Sequence, residues 1–323
     1  MTRIAVLDDW QRVARRSADW SALMARGEVV FFDAAFGSED EAARKLAGFP
    51  VIMAMRERTA FPASLVRRLP ALQMFAMTGR RAGSVDVGAM IARGITVCYT
   101  GSADHGEATA ELALGLMLAA ARHIPAGDAS IRAGRFQEGV GLGFTLAGKT
   151  LGILGLGRIG TLMAGYGRAL RMPVLAWSQN LTAERAGAAG ATLVDKEDLL
   201  SRSDVVSVHL TLSERTRGLI GARELALMKR GAVLVNTSRG PIVDEAALLL
   251  AVQSGRLIAA LDVYDREPLP AAHPLRQAPN TVLTPHLGYV TLENLAAFYR
   301  QSVENVLAFL DGKPIRMWEA PIA

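Results

Sequence analysis

Residues 152–160 read Gly-Ile-Leu-Gly-Leu-Gly-Arg-Ile-Gly and lie between an apolar run at 151–154 and a helix expected from Arg158. Gly155, Gly157 and Gly160 make the pattern Gly-x-Gly-x-x-Gly. The first glycine permits a tight turn, the second lets backbone approach a pyrophosphate, and the third lets the helix pack on its strand. From Arg158 and Ile159 onward the helix offers free N–H groups and the positive end of its dipole to phosphates. An isolated pattern of this kind also describes an ordinary strand-to-helix turn. Here a second strand-like run at 174–177 follows at the spacing of a βαβ unit, which predicts a dinucleotide site.

The 323 residues suit two domains, each able to bury its own core. Short apolar runs at 4–7, 29–32, 51–54, 72–76 and 95–98 alternate with helical stretches, the pattern of a small doubly wound parallel sheet. A helix over 107–121 and a glycine-rich stretch at 134–148, read as a mobile surface segment, lead to a second series with six strand candidates: 151–154, 174–177, 205–208, 232–235, 257–261 and 282–284. A helix over 292–310 and a short tail close the chain and are expected to return to the first domain. The fold class expected is α/β, with two doubly wound parallel-sheet domains. One is a Rossmann-type cofactor domain at 101–288; the other is a smaller, discontinuous, flavodoxin-like substrate domain at 1–100 and 289–323.

Composition narrows the function classes. Half of the residues are apolar, yet the longest apolar block, 112–121, is too short to span a bilayer, so no membrane partner is expected. Cys98 is the only cysteine, which excludes an internal disulfide and a cysteine-rich metal site; no metal is expected. The net charge of +5 comes from dispersed basic residues without interleaved aromatics. That favours anionic small molecules over nucleic acid. The amino terminus reaches Asp8 and Asp9 too early for a signal peptide, so a cytoplasmic protein is expected.

Three polar residues stand at or just beyond strand ends, where open α/β sheets bind ligands: Arg239, Glu267 and His286. An arginine can fork onto a carboxylate and a carbonyl, a histidine can pass a proton near neutral pH, and a neighbouring carboxylate can hold that histidine. Singly, each has a bland reading as a helix-end partner, a solvated acid or a satisfied buried imidazole. In this order behind a dinucleotide loop they form a set.

With these residues in place the chain resembles the D-isomer-specific 2-hydroxyacid dehydrogenases, over nearly its whole length. The likeness rests on 148–160, 208–212, 236–244, 261–268 and 284–288. It implies that Arg239 anchors the substrate carboxylate and carbonyl, that His286 is the acid/base and that Glu267 is its partner. Asp262 is then implied to hold the nicotinamide carboxamide, with His209, Thr211 and Thr237 lining the cofactor groove. The implied reaction moves a hydride between NAD or NADP and a small 2-keto or 2-hydroxy acid, such as glyoxylate or hydroxypyruvate, in the cleft between the domains; a homodimer is implied too, with the apolar helix at 111–121 either its contact or part of the chain's own core. A cofactor-sensing protein of the corepressor type, and an enzyme like formate or phosphite dehydrogenase, are the alternatives. Formate dehydrogenases typically carry glutamine where Glu267 stands.

Two departures bear on specificity. The loop at 77–86 has Arg81 where many relatives carry a glycine, which leaves Arg80 and Arg81 as substrate-side candidates. Arg56 is a third, and reads equally well as a solvated loop residue. At 177–180, Ser178 occupies the place of the expected ribose-binding carboxylate and is followed by Gln179 and Asn180. With nothing acidic there to repel a 2′-phosphate, both cofactors stay open and the reading leans to NADP.

Overall fold

The computed structural model describes residues 1–79 and 83–318. The chain folds into two compact units, one from residues 1–104 together with those from 291 onward, the other from 105–290.

In the first unit, β1 (Thr2–Val6), β2 (Gly27–Phe31), β3 (Val51–Ala54), β4 (Met74–Met77) and β5 (Thr96–Tyr99) form a wholly parallel sheet in the order β2-β1-β3-β4-β5. Every residue of β3 and β4 is buried, as the unbroken apolar runs require of strands covered on both faces. The helix Leu292–Leu310 belongs to this unit, with Leu295, Phe298, Tyr299 and Val306 on its buried side. After it the chain returns to the sheet edge: Tyr99 N–H donates to Arg316 O at 3.0 Å and Trp318 N–H to Val97 O at 2.7 Å.

The second unit holds a parallel sheet of seven strands: β6 (Leu151–Leu154), β7 (Val174–Trp177), β8 (Thr192–Leu193), β9 (Val205–Val208), β10 (Val233–Asn236), β11 (Ile258–Leu261) and β12 (Thr281–Leu283). Their order is β12-β11-β10-β9-β6-β7-β8. Side chains alternate between the faces, so Val233 and Val235 join one buried cluster and Leu234 the other. β8 is a strand the sequence reading lacks. It has two residues, both at least partly accessible, and pairs only with Leu175 and Ala176.

The apolar block at 112–121 lies within the helix Glu107–Ala121, whose Ala113, Leu116, Met117 and Ala120 are buried against this sheet. Alanine, leucine and methionine favour helix, and the helix follows Gly106 in a left-handed turn. No helix among the described residues is long and apolar enough to cross a membrane. The glycine-rich stretch has no regular element, and it is less detached than its composition implied. Phe144 N–H donates to Ala121 O at 2.9 Å, and Leu146 is buried in the core of the unit.

Candidate active site

The strand order turns a scattered set of residues into a row. Read across the carboxyl edge of the second unit, β12 is followed by His286, β11 by Asp262 and Glu267, β10 by Thr237 and Arg239, β9 by His209 and Thr211, β6 by the glycine loop and β7 by Ser178. At the usual spacing between strands these six ends span about 24 Å, room for an extended dinucleotide with a substrate at one end. The connection reverses direction between β6 and β9, the kind of switch point at which α/β sheets take ligands.

Each glycine of the loop has its own reason. Gly155 has φ +103°, and a Cβ there would meet the backbone of His209 and Leu210 at 2.7–2.8 Å. A Cβ on Gly160 would stand 2.1 Å from Gly155 O, so only glycine lets the helix Arg158–Ala169 start this close to its strand. Gly157 has nothing within 4 Å of its Cβ position, which leaves that side open to a ligand. Ser178 Oγ accepts from Leu156 N–H at 3.0 Å and so ties the β7 end to the loop. Gln179 and Asn180 follow it in a turn, and Arg158 is exposed at the start of the helix.

Among the described residues, two buried polar atoms beside this loop have no partner, Nδ1 of His209 and Oγ1 of Thr237. The other ring nitrogen of His209 meets Ser207 Oγ at 2.8 Å, and burial pushes the imidazole pKa down to about 4. Thr211 is exposed on the same loop. Orphaned polar atoms beside an open glycine turn fit a dinucleotide better than they fit a closed core.

At the other end of the row, His286 Nδ1 lies 2.5 Å from Glu267 Oε2, and Tyr264 N–H donates to Glu267 Oε1 at 2.9 Å. An ionised carboxylate only accepts, so the bond to Glu267 places a proton on Nδ1 of the imidazole. His286 has φ +55°, in the left-handed region that costs a β-carbon residue about 1 kcal/mol or more. Asp262 holds it there. Its fully buried carboxylate accepts from Thr284 Oγ1 at 2.6 Å, Leu287 N–H at 2.7 Å and Gly288 N–H at 2.9 Å, while its carbonyl accepts His286 N–H at 2.9 Å. Burial raises the Asp262 pKa, and the Thr284 hydroxyl and the two backbone donors oppose that rise.

Arg239 is carried on a turn that Asn236 shapes. The buried Asn236 side chain donates to Arg239 O at 3.0 Å and accepts Ser238 N–H at 3.0 Å. A Cβ on Gly240 would come within 2.1 Å of Tyr264 carbonyl carbon. Glycine therefore lets the Arg239 turn pack directly on the loop that presents Glu267. Tyr264 OH in turn donates to Thr284 O at 2.9 Å, joining that loop to the strand before His286. Sequence reasoning did not assign roles to Asn236, Tyr264 or Thr284. The one available signal was an asparagine ending an apolar strand, a residue suited to shaping the following turn.

In the first unit Arg56 follows β3 with φ +52°, and its backbone N–H donates to Thr78 Oγ1 at 2.8 Å. Its guanidinium crosses Gly79, whose Cβ position is 2.3 Å from Arg56 Nη1. The side chain is only 21% exposed, which replaces the reading of a solvated loop residue. Arg80 and Arg81 lie outside the described residues.

Residues 114–288 match the family model described as D-isomer specific 2-hydroxyacid dehydrogenase, NAD binding domain. The chain belongs to the D-isomer specific 2-hydroxyacid dehydrogenase family. It is 42% identical over 257 residues to a glyoxylate reductase from Aeropyrum pernix, covering 77% of this chain and 76% of that protein. It is 38% identical over 280 residues to a D-3-phosphoglycerate dehydrogenase from Archaeoglobus fulgidus. That alignment covers 86% of this chain but 53% of the relative, so the chain spans about half the length of the phosphoglycerate dehydrogenases it matches. Among solved structures, a phosphoglycerate oxidoreductase from Vibrio cholerae O395 superposes with a TM-score of 0.91 at 36% identity, over 97% of this chain and all of that one.

Proposed function

We propose that this chain transfers a hydride between NAD(P)H and a small 2-keto or 2-hydroxy acid with D stereospecificity, with glyoxylate and hydroxypyruvate the first candidates. The observation that carries the reading is the 2.5 Å contact between His286 Nδ1 and Glu267 Oε2. It leaves Nε2 as the nitrogen that exchanges a proton with substrate. When bound, the reduced nicotinamide supplies the hydride. Arg239 orients the keto acid by its carboxylate and polarises its carbonyl, and His286 delivers a proton to the carbonyl oxygen as charge develops there. Glu267 stabilises the imidazolium that must be present before transfer. Gly155, Gly157, Gly160, His209, Thr211, Thr237 and Ser178 are the residues proposed to hold the cofactor. Asp262 acts through the His286 loop and faces the same end of the groove. Arg56 is the substrate-binding candidate of the first unit.

The His286–Glu267 pair favours keto-acid reduction over formate oxidation, which needs no proton acceptor. A cofactor-sensing protein of the corepressor type could carry the same pair, so turnover separates the two. A panel of keto acids, formate and phosphite run with NADH and NADPH tests the reading. Turnover of a 2-keto acid is expected, and cofactor binding without turnover of any of them would favour the sensing role.

Both cofactors are proposed substrates, with NADPH accepted at least as well as NADH because Ser178 presents a hydroxyl where a carboxylate would repel the 2′-phosphate. Ser178→Asp is then expected to raise the NADH/NADPH ratio of kcat/KM at fixed ionic strength, by about tenfold for 1.4 kcal/mol of added repulsion. An unmoved ratio would place ribose recognition elsewhere. A homodimer is also proposed, with its contact sought just beyond the helix Glu107–Ala121. The helix Glu107–Ala121 contributes to the core of its own unit, whereas Ile124, Ile131, Phe136 and Leu142, just beyond it, are 54–99% exposed. Sedimentation of wild type and of Leu142→Glu checks that contact.

A further inference from the structure

A second histidine–carboxylate pair stands behind the first. His273 Nε2 lies 3.0 Å from Glu245 Oε1, and both side chains are about four-fifths buried, at 19% and 22% exposure. Leu275 N–H donates to His273 Nδ1 at 3.3 Å, so Nδ1 is an acceptor and the ring proton sits on Nε2, facing Glu245. The other oxygen of Glu245 accepts Asp265 N–H at 3.3 Å. Asp265 is the residue after Tyr264, whose own N–H donates to Glu267 at 2.9 Å.

The loop after β11 is therefore suspended by two consecutive backbone N–H groups between two glutamates. Glu267 faces His286; Glu245, on the first turn of the helix Glu245–Gln253, faces His273. Gly240 packs against the same stretch, at Tyr264 and Asp265.

We propose that Glu245 and His273 are positioning residues for the proton-transfer pair: by holding Asp265 N–H they set the loop on which Glu267 reaches His286. The inference rests on the reading of Glu267 and His286 given above. Its physical basis is a count of acceptors. A carboxylate offers an oxygen to each of two donors, His273 Nε2–H and Asp265 N–H. A glutamine of the same size offers one oxygen and turns an NH2 toward the second donor. Glu245→Gln thus frees one end of the loop without opening a cavity. A displacement of even a fraction of an ångström at Glu267 weakens a 2.5 Å contact far more than it disturbs packing.

The test reads the contact itself. The Nδ1 proton of His286, bonded to Glu267, gives a far-downfield proton resonance, assigned by its loss in Glu267→Gln. In Glu245→Gln this resonance is expected to move upfield or broaden, while kcat falls about tenfold and the KM for NAD(P)H stays unchanged. His273→Ala, which leaves Glu245 in place but removes its anchor, is expected to do the same to a lesser degree and carries the test should Glu245→Gln fail to fold. A resonance that stays at its wild-type position in a folded variant overturns the inference, whatever happens to kcat. If Glu267→Gln also leaves the resonance in place, then the proton-transfer pair itself has been misread. The two failures are thereby separate.

Discussion

Each unit buries an aspartate just past a strand that lies second from the edge of a parallel sheet, yet the two carboxylates meet different surroundings. Asp262, after β11, receives two backbone N–H groups and a threonine hydroxyl. Asp8, after β1, receives the Thr59 hydroxyl at 2.9 Å on one oxygen, while the other has no partner among the described residues. Arg58 is close by but spends its guanidinium on Asp8 O at 2.7 Å, on Gln11 Oε1 at 2.9 Å and on the face of Trp10. Burial accordingly dominates and pushes the Asp8 pKa from 3.8 up to about 6. In the second unit the same cause lowers His209 from 6.5 to about 4. Loop backbone that donates to a buried carboxylate makes it a structural anchor. Asp8, with donors from Thr59 alone and one oxygen without a partner among the described residues, is a group whose charge the fold resists.

The glycines at the two edges differ in the same sense, and they give the largest effect. A Cβ at position 160 meets backbone 2.1 Å away, whereas one at position 79 meets the end of the Arg56 side chain at 2.3 Å. Gly160→Ala is expected to destabilise by about 3 kcal/mol or more, because backbone must shift, and to weaken NAD(P)H binding. Gly79→Ala is expected to cost about 1–2 kcal/mol, the strain of its φ of +79°, with Arg56 displaced. Equal losses in chemical denaturation would erase the distinction between rigid and yielding surroundings.

The titrating groups give opposite pH dependences. Unfolded chain takes a proton on His209 below pH 6.5, whereas folded protein does so only below about 4. This contribution to stability is present above pH 6.5 and is lost as pH falls to about 4, about 3 kcal/mol in all. Asp8 runs the other way. Unfolded chain releases its proton above pH 3.8 and folded protein above about 6, so its contribution is present below pH 3.8 and lost, again about 3 kcal/mol, as pH rises to about 6.

His209→Gln should therefore flatten the acid side of the stability profile. Asp8→Asn should gain on wild type as pH rises from 4 toward 7, by up to about 3 kcal/mol. Melting temperatures across that range check both. Two variants that shift stability in the same direction would break the contrast between the units.

Much of this architecture was legible beforehand, for identifiable reasons. Parallel strands covered on both faces need unbroken apolar runs, so 51–54, 151–154, 174–177 and 205–208 match their strands residue for residue, as 292–310 matches its helix. β8 escaped because two partly accessible residues carry no periodicity. The row from His286 to Ser178 was readable as a set of strand ends, since the chemistry at a strand end depends on residue type and position. What holds that row was not. The three donors to Asp262 come from 22 to 26 residues away in sequence, and the packing of Gly240 on Tyr264 is a distance between loops that no local pattern reports.

The central claim is that His286, held by Glu267, transfers the proton in reduction of a 2-keto acid. Its most direct test is steady-state turnover of His286→Ala on the best keto acid of the panel, alongside the Kd for NAD(P)H from nicotinamide fluorescence. The account predicts a loss of about two to four orders of magnitude in kcat with the Kd unchanged. A variant that binds cofactor normally and turns over near the wild-type rate would contradict it.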